Sequence, residues 1–557
     1  MVGWASPRPE AYKAQAPHDH PWWVLPSLLL FVYLAQCSWF IRTQSLTYDE
    51  PVHIAEGLDA WRHGRFEQYN DHPPLSRLLC TLPVIDDMWQ VEVQQLNEGF
   101  HVPRISPDPI ELAERTRHVN TILGFVLGLL IWMASAELFS RTAANLALVL
   151  FAFSPALIAH FSLVTSDGAA TLLIFATAWQ LIRWRRSTKW PETILLGVVL
   201  GLLLLSKFST APMFVMALAW ILILKSKWME WNPLRWNWGK TIVAFLLAFF
   251  VVWAGYFFHI SHLSIHDGTL TASFPHWNEE IVKPVRTTMN LDLPVPAGEY
   301  IEGFREVARH NRHGQPAYFL GNVSSTGGWK LYYPIAILLK WPTIVLILAI
   351  TGFLLAAARR VKVSTDLWIM ASFPTVYFFL AVLAHFNIGE RHVLPLYPFA
   401  LLFAVAVWQK ISHHRWATLF AIMVLTLNVA DVLRFAPDYL SYFSVVTRPY
   451  ESYRLLSDSN LDWGQGLLSV RDYEQANPGK QTWLAYFGSV NPGLYGIRAR
   501  LLAENERGSG DFIVSATDLS GQFLRDPSAY HWLLQYPHVA TLNHSMYVFR
   551  VDGKAPK

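Results

Sequence analysis

The sequence is short of charge: Asp, Glu, Lys and Arg make up only 15% of its 557 residues, against roughly 25% in an ordinary soluble domain. With 53% hydrophobic residues, that scarcity argues against a water-soluble fold. Cysteine is nearly absent. Cys37 and Cys80 supply neither a disulfide framework nor a thiolate metal site. The net charge is +3 and no basic tract occurs, so nothing points to nucleic acid as a partner. No internal repeat is visible, which leaves the inverted symmetry common in transporters without support.

Long apolar runs are plentiful, and several reach the roughly 17–25 residues that cross a bilayer as helix. They lie at about 22–41, 119–138, 143–163, 168–182, 193–206, 208–224, 241–258, 341–358, 367–384, 393–408 and 416–433. The first, Trp22 to Ile41, contains no charged residue and reads as a retained span, because the Arg-Thr-Gln-Ser-Leu after it is no small-residue cleavage site. The 25 Trp suit the water–lipid interface, with sugar stacking as the other use of an indole face. The expected fold is a polytopic α-helical membrane protein with about eleven transmembrane helices.

The basic clusters Arg183/Arg185/Arg186/Lys189, Lys225/Lys227/Arg235/Lys240, Arg359/Arg360/Lys362 and Lys410/Arg415 fall in every second loop, as the positive-inside rule requires of cytoplasmic loops. That parity puts 42–118, 259–340, 385–392 and the tail from about 435 outside. The first loop carries 13 Asp/Glu against 7 Arg and no Lys. In the tail, strand-like runs at Thr482 to Phe487, Phe512 to Ala516 and Met546 to Val551 suggest a small α/β domain. The organisation read here is therefore a transmembrane domain at 1–434 and an extracytoplasmic C-terminal domain at 435–557.

Ionisable residues gather at that outer face. Asp49 and Glu50 follow the first span, ahead of Pro51, His53 and Glu56, and His72-Pro73-Pro74 comes later in the same loop. Carboxylates beside hydrocarbon are costly without a task or a partner. Deprotonating an attacking hydroxyl is such a task; capping the helix opened by Pro51 is the alternative. Asp167, in Thr165-Ser166-Asp167-Gly168, stands on the same face or caps the next helix. Arg117, Lys207, Lys340 and the Glu390-Arg391-His392 cluster could take up the charge of a lipid phosphate leaving group, or snorkel as anchors. His53, His72, His160, His259, His262 and His266 with Asp49 or Glu56 leave a divalent metal open, although no His pair brackets a Glu at helical spacing. Asp458 and Asp462, in Ser457–Gln465, sit among amides and an indole suited to sugar hydroxyls, or form an Asx turn.

The order of these motifs resembles the protein O-mannosyltransferase and aminoarabinose transferase group of GT-C glycosyltransferases. The resemblance rests on the Asp-Glu pair after span one, the His-Pro-Pro-Leu, the Arg opening span two, the Thr-Ser-Asp, and Gly389-Glu390-Arg391-His392 with its Leu-Pro-x-Tyr-Pro continuation. It covers about residues 22–430 plus Asp458–Gln465. It implies a polyprenyl- or dolichyl-phosphate sugar donor, an inverting transfer, and a protein or lipid/glycan acceptor. Asp49 would be the base with Glu50 beside it, and Asp167 a second acid. His72, Pro73 and Pro74 would shape the loop, Arg117, Lys207 and Arg391 would face the carrier phosphate, and His392 belongs to the last motif. No extracytoplasmic repeat insertion is recognisable in 259–340, and Trp-Trp-Asp-Tyr-Gly is missing.

A transporter or flippase of lipid-linked sugar would instead want charges at the bilayer midplane, where only Asp431 falls. The sequons Asn322-Val323-Ser324 and Asn543-His544-Ser545 lie on the outer side. The resemblance points to a bacterial plasma membrane.

Overall fold

In the computed structural model, the described residues are 22–66, 71–86, 88–97, 100–187, 189–223, 237–277, 280–285, 287, 290–447 and 451–552. Lys225, Lys227 and Arg235 of the second basic cluster lie outside them.

The apolar runs carry helices, and the chain is an integral membrane protein. Five described helices are long and apolar enough to cross a membrane: Val24–Thr43, Pro109–Leu138, Trp238–Gly255, Thr365–Leu383 and Glu390–Ile411. A sixth forms if Tyr332–Lys340 and Thr343–Ala357, bent by 119° at Trp341-Pro342, are one span. Arg141–Ala152, Trp190–Leu204, Thr210–Ile223 and Ala417–Leu433 are shorter apolar helices. The expected continuous helix at 143–163 is broken. Arg141–Ala152 stops before Ser154, and a separate turn, Pro155–His160, restarts at Pro155, a residue that has no N–H to continue the ladder but suits a first helical position.

Small residues let these helices approach closely. A Cβ at Gly197 would meet the Ala244 carbonyl at 2.8 Å and one at Gly201 would meet Val251 Cβ at 2.5 Å. Trp190–Leu204 therefore lies tight against Trp238–Gly255 along a Gly-x-x-x-Gly stripe.

The connection 44–108 carries helix Glu50–His63, helix Leu75–Thr81 and the hairpin Gln90–Asn97/Phe100–Ser106. The segment after Gly255 forms a four-stranded antiparallel sheet within 260–296, followed by helix Gly298–His313. Neither β element is foreseen above, since their alternation is weak and short.

The expected C-terminal strands are present as Thr482–Ala485, Gly510–Ser515 and Met546–Val551. With Arg500–Leu501 and His538–Leu542 they make a five-stranded mixed sheet. Its sides are not covered by its own chain alone. Leu484, Ile513 and Val548 pack in one core with Leu46 and Ile54 of the first connection and Leu112 of helix Pro109–Leu138. Phe512, Val514 and Phe549 share another with Tyr332, Tyr333 and Val393. The approach to the sheet is also embedded in the helical part: Tyr439, Leu440 and Trp463 belong to the core of the helices. The division expected near residue 435 is thus a continuous packed junction.

Candidate active site

The peptide just beyond helix Val24–Thr43 is held by a buried ion pair. Arg117, in helix Pro109–Leu138, donates from Nε to Glu50 Oε1 (2.8 Å) and from Nη2 to Glu50 Oε2 (2.6 Å). The rest of the guanidinium is engaged by the carbonyls of Gln44 (2.8 Å) and Ser45 (2.7 Å). Glu50 also accepts from the N–H groups of Thr47 and Val164, both at 2.8 Å. Burial pushes the Glu50 carboxyl up, but Arg117 and these N–H groups outweigh it and hold it below the usual glutamate range. Neither side chain has any exposure. Arg117 therefore does not face a phosphate site as the motif order implied: its donors are spent on the turn that carries Glu50.

Asp49 is the contrast. It is the N-terminal capping residue of helix Glu50–His63 by position, but its side chain makes no capping bond there. Its carboxylate instead accepts from Arg391 Nη1 at 3.2 Å and keeps 34% of its side-chain surface open. Burial of its surroundings raises its pKa, against the pull of Arg391 and His72.

Asp167 stands in the first turn of helix Ser166–Ser187. Lys207 Nζ donates to it at 2.5 Å, and Arg391 Nη1 is 3.8 Å away. The Thr-Ser-Asp turn is pinned by Asn120, whose Nδ2 donates to the carbonyls of Leu163 (2.5 Å) and Thr165 (3.2 Å). Val164, in the same turn, donates to Glu50. The Asp-Glu and Thr-Ser-Asp motifs are thereby locked together, and Asp49, Asp167, Lys207 and Arg391 form one cluster.

Arg391 comes from the turn Glu390–Leu396. Its guanidinium lies 4.0 Å from the ring centroid of Trp463, within cation–π range. Trp463, buried at 1% exposure, is a member of the site that the sequence reading left unassigned within its segment. The Asp458–Asn460 turn is fastened to the loop before Arg391. Ser459 Oγ donates to the Ile388 carbonyl (2.7 Å), and Glu390 N donates to Asn460 Oδ1 (2.9 Å).

Lys340 is also differently employed than expected. Its ammonium donates to the carbonyls of Leu440 (2.9 Å), Tyr442 (2.5 Å) and Asn460 (2.5 Å) at 1% exposure. It staples the C-terminal approach to the helices and offers nothing to a phosphate. His392 is half-buried, stacked near Phe386 at 6.3 Å.

The first connection supplies a second layer. Arg77 Nε donates to His53 Nδ1 (3.2 Å) and its Nη2 to Asp71 (2.7 Å). Burial, then Arg77, pull His53 well below the usual histidine range, which suits the neutral imidazole that such a bond requires. His72 packs edge-on against His53 at 5.2 Å. Glu56, His72, Pro74, Arg77 and Tyr256 line a small cavity here, with Pro73 buried beside them. Among the described residues no group of three or more His, Cys, Asp or Glu is placed to hold a metal ion.

Asp458 is buried, in a left-handed backbone conformation with φ of 56°, a strained setting for a residue with a side chain. Burial pushes its carboxyl up to about 7, against Arg391. Asp462 faces away from the cluster: it accepts from Thr517 N (3.0 Å) and Gly464 N (3.2 Å), so the Asx-turn reading holds for it. Asp431, the residue that favoured a transporter, accepts from Tyr442 Oη at 2.6 Å and pairs with Arg434.

A family model described as dolichyl-phosphate-mannose-protein mannosyltransferase matches residues 113–254. A sequence search of curated proteins gives no match. Among solved structures, the Saccharomyces cerevisiae protein O-mannosyltransferase complex Pmt1-Pmt2, bound to the sugar donor, aligns with a TM-score of 0.51 at 11% identity. The alignment covers 76% of this chain and 90% of that one. ArnT from Cupriavidus metallidurans bound to undecaprenyl phosphate aligns at TM-score 0.45 and 12% identity, covering 95% and 98%. The Archaeoglobus fulgidus oligosaccharyltransferase AglB aligns at 0.46 and 11%, covering 96% and 75%. The yeast likeness shows a common fold. The family match covers only the part of the chain from 113 to 254.

Proposed function

We propose that this protein transfers a monosaccharide, mannose-like or other, from a polyprenyl- or dolichyl-phosphate carrier to a hydroxyl of a protein or lipid/glycan acceptor. The reaction faces the extracytoplasmic side, in a bacterial plasma membrane, and inverts the anomeric centre. The observation that carries this reading is the Asp49 carboxylate: it is open, its pKa is raised by burial, and it sits 3.2 Å from Arg391 within one cluster that also holds Lys207.

In this scheme Asp49 accepts the acceptor's proton as its oxygen attacks the anomeric carbon. The bond to the carrier phosphate breaks on the opposite face, which inverts the configuration. Arg391 and Lys207 take up the charge on the departing phosphate, a service worth most in a site shielded from water. Asp167 holds Lys207 and shares Arg391. Glu50 and Arg117 fix the turn that presents Asp49, and Lys340 fixes the segment bearing Trp463. His53, Glu56, His72 and Pro73 shape the acceptor side, with Asp458 at the boundary. Asp49, Asp167, Lys207 and Arg391 come from the part before residue 435, and the part after it adds Trp463.

The test is a panel of polyprenyl-phosphate monosaccharides incubated with the purified protein and candidate acceptors, with free polyprenyl phosphate and the product's anomeric configuration as readouts. Acceptor-dependent release with inversion is expected. Movement of lipid-linked sugar across liposomes without release would replace this reading with a transporter.

A further inference from the structure

Helix Gly298–His313 has no counterpart in the site described so far, yet its surface is unusual for a segment beyond the membrane helices. Ile301 is 60% exposed and Phe304 42% exposed, three positions apart and so on one face. Further along that helix come Arg305 and Arg309, paired with Glu302 and Glu306 of the preceding turn, and Arg312, all exposed. An exposed apolar patch followed by charged side chains suits a helix lying in a lipid interface, with its charged groups at the headgroups.

Its start is fixed at the level where a membrane helix ends. His259 is four residues beyond Gly255, the last residue of Trp238–Gly255. The His259 carbonyl accepts from both Trp253 Nε1 (2.8 Å) and Ala297 N (3.0 Å), and its ring pairs with Glu299 at 2.8 Å. The exposed apolar surface of the membrane helix runs on to this point: Phe245, Phe249 and Phe250 are all about half-exposed, and Phe250 packs on Phe258 at 5.4 Å. On its inner side the helix comes near Lys207, because the neighbouring Phe208 packs against Tyr300 (5.2 Å) and against the covered edge of Phe304 (6.4 Å), whose other edge is exposed.

We infer that helix Gly298–His313 lies in the membrane interface, with Ile301 and Phe304 in the acyl boundary of the lipid and its arginine end among the headgroups, bordering the Lys207 side of the site. The placement is independent of the reaction proposed above. A lipid surface is the occupant favoured over a protein partner because the patch continues the lipid-facing side of an adjoining membrane helix.

The test uses the full chain in phosphatidylcholine–phosphatidylglycerol vesicles, with an environment-sensitive thiol fluorophore at Ile301→Cys. The native Cys37 and Cys80 are buried, so labelling is selective. Asp472→Cys, on an exposed carboxylate of the C-terminal part, is the aqueous control. Spin-labelled lipids should quench the Ile301→Cys probe at least about two-fold more than the control, as burial in the acyl boundary requires. A probe at Arg312→Cys should be quenched by headgroup labels rather than chain labels. Iodide quenching of Ile301→Cys equal to the control, with no lipid quenching, would overturn the inference. So would protection from both quenchers, which would mark a protein contact.

Discussion

Glu50 and Arg117 are joined by two charge-assisted hydrogen bonds of 2.8 and 2.6 Å with neither side chain exposed. The two adjacent carboxylates therefore divide their labour, with Asp49 turned to the open cluster and Glu50 to the interior.

Breaking such a pair by truncating one partner strands a buried charge, at a cost of about 3–5 kcal/mol. Arg117→Ala and Glu50→Gln should both lower the thermal midpoint of the purified protein sharply in detergent, whereas Arg115→Ala, which breaks the exposed pair with Glu111, should not. Because the folded Glu50 pKa is lowered, the pair's stabilisation is present above the ordinary glutamate value near 4.3. It is lost as pH falls through the lower folded value.

Asp518 gives a prediction of opposite sign. Burial and the nearby Asp462 push its carboxyl up to about 8, so the folded state holds a proton the unfolded chain has already released. Its ionisation costs stability increasingly as pH rises from the ordinary aspartate range towards 8. Asp518→Asn should raise the thermal midpoint relative to wild type, and by more at pH 9 than at pH 5. A constant difference across that range would contradict the assignment.

Much of this was legible in the sequence, and the limits have physical causes. The helices follow from apolar runs, and the C-terminal strands from short β-branched and aromatic runs. The break at Ser154-Pro155 was signalled by the proline. What sequence could not separate were residues of one type with different partners. Arg117 and Arg391 both open a helical segment after a motif, but only Arg391 reaches Asp49. Which carbonyls surround Arg117 or Lys340 depends on chain segments up to 120 residues away. Trp463 carried a faint signal, an indole among amides and carboxylates, but its stacking on Arg391 is purely tertiary.

That stacking should be measurable. A buried cation–π contact is worth up to about 2 kcal/mol, or roughly 30-fold in an equilibrium constant. Trp463→Ala should raise the KM for the lipid-phosphate donor several-fold or more, with kcat changed less, and Trp463→Phe should recover most of the loss. Equal loss in both variants would point to a packing role alone.

Lys207 and Asp167 form the other half of the cationic cluster. Lys207→Met should weaken donor binding at least about ten-fold if it faces the phosphate, since hydrogen bonds to charged groups contribute about 1.5–3 kcal/mol. Binding of free polyprenyl phosphate, followed by displacement of a fluorescent analogue, checks this directly. Unchanged affinity would confine Lys207 to holding Asp167.

The most direct measurement is acceptor-dependent release of polyprenyl phosphate by wild type and Asp49→Asn, with donor affinity determined on the same preparations. The account predicts that Asp49→Asn binds donor within a few-fold of wild type while turnover falls by about 10²–10⁴, the contribution of a positioned general base. Turnover retained in Asp49→Asn at unchanged donor affinity would contradict it and move the base to another residue.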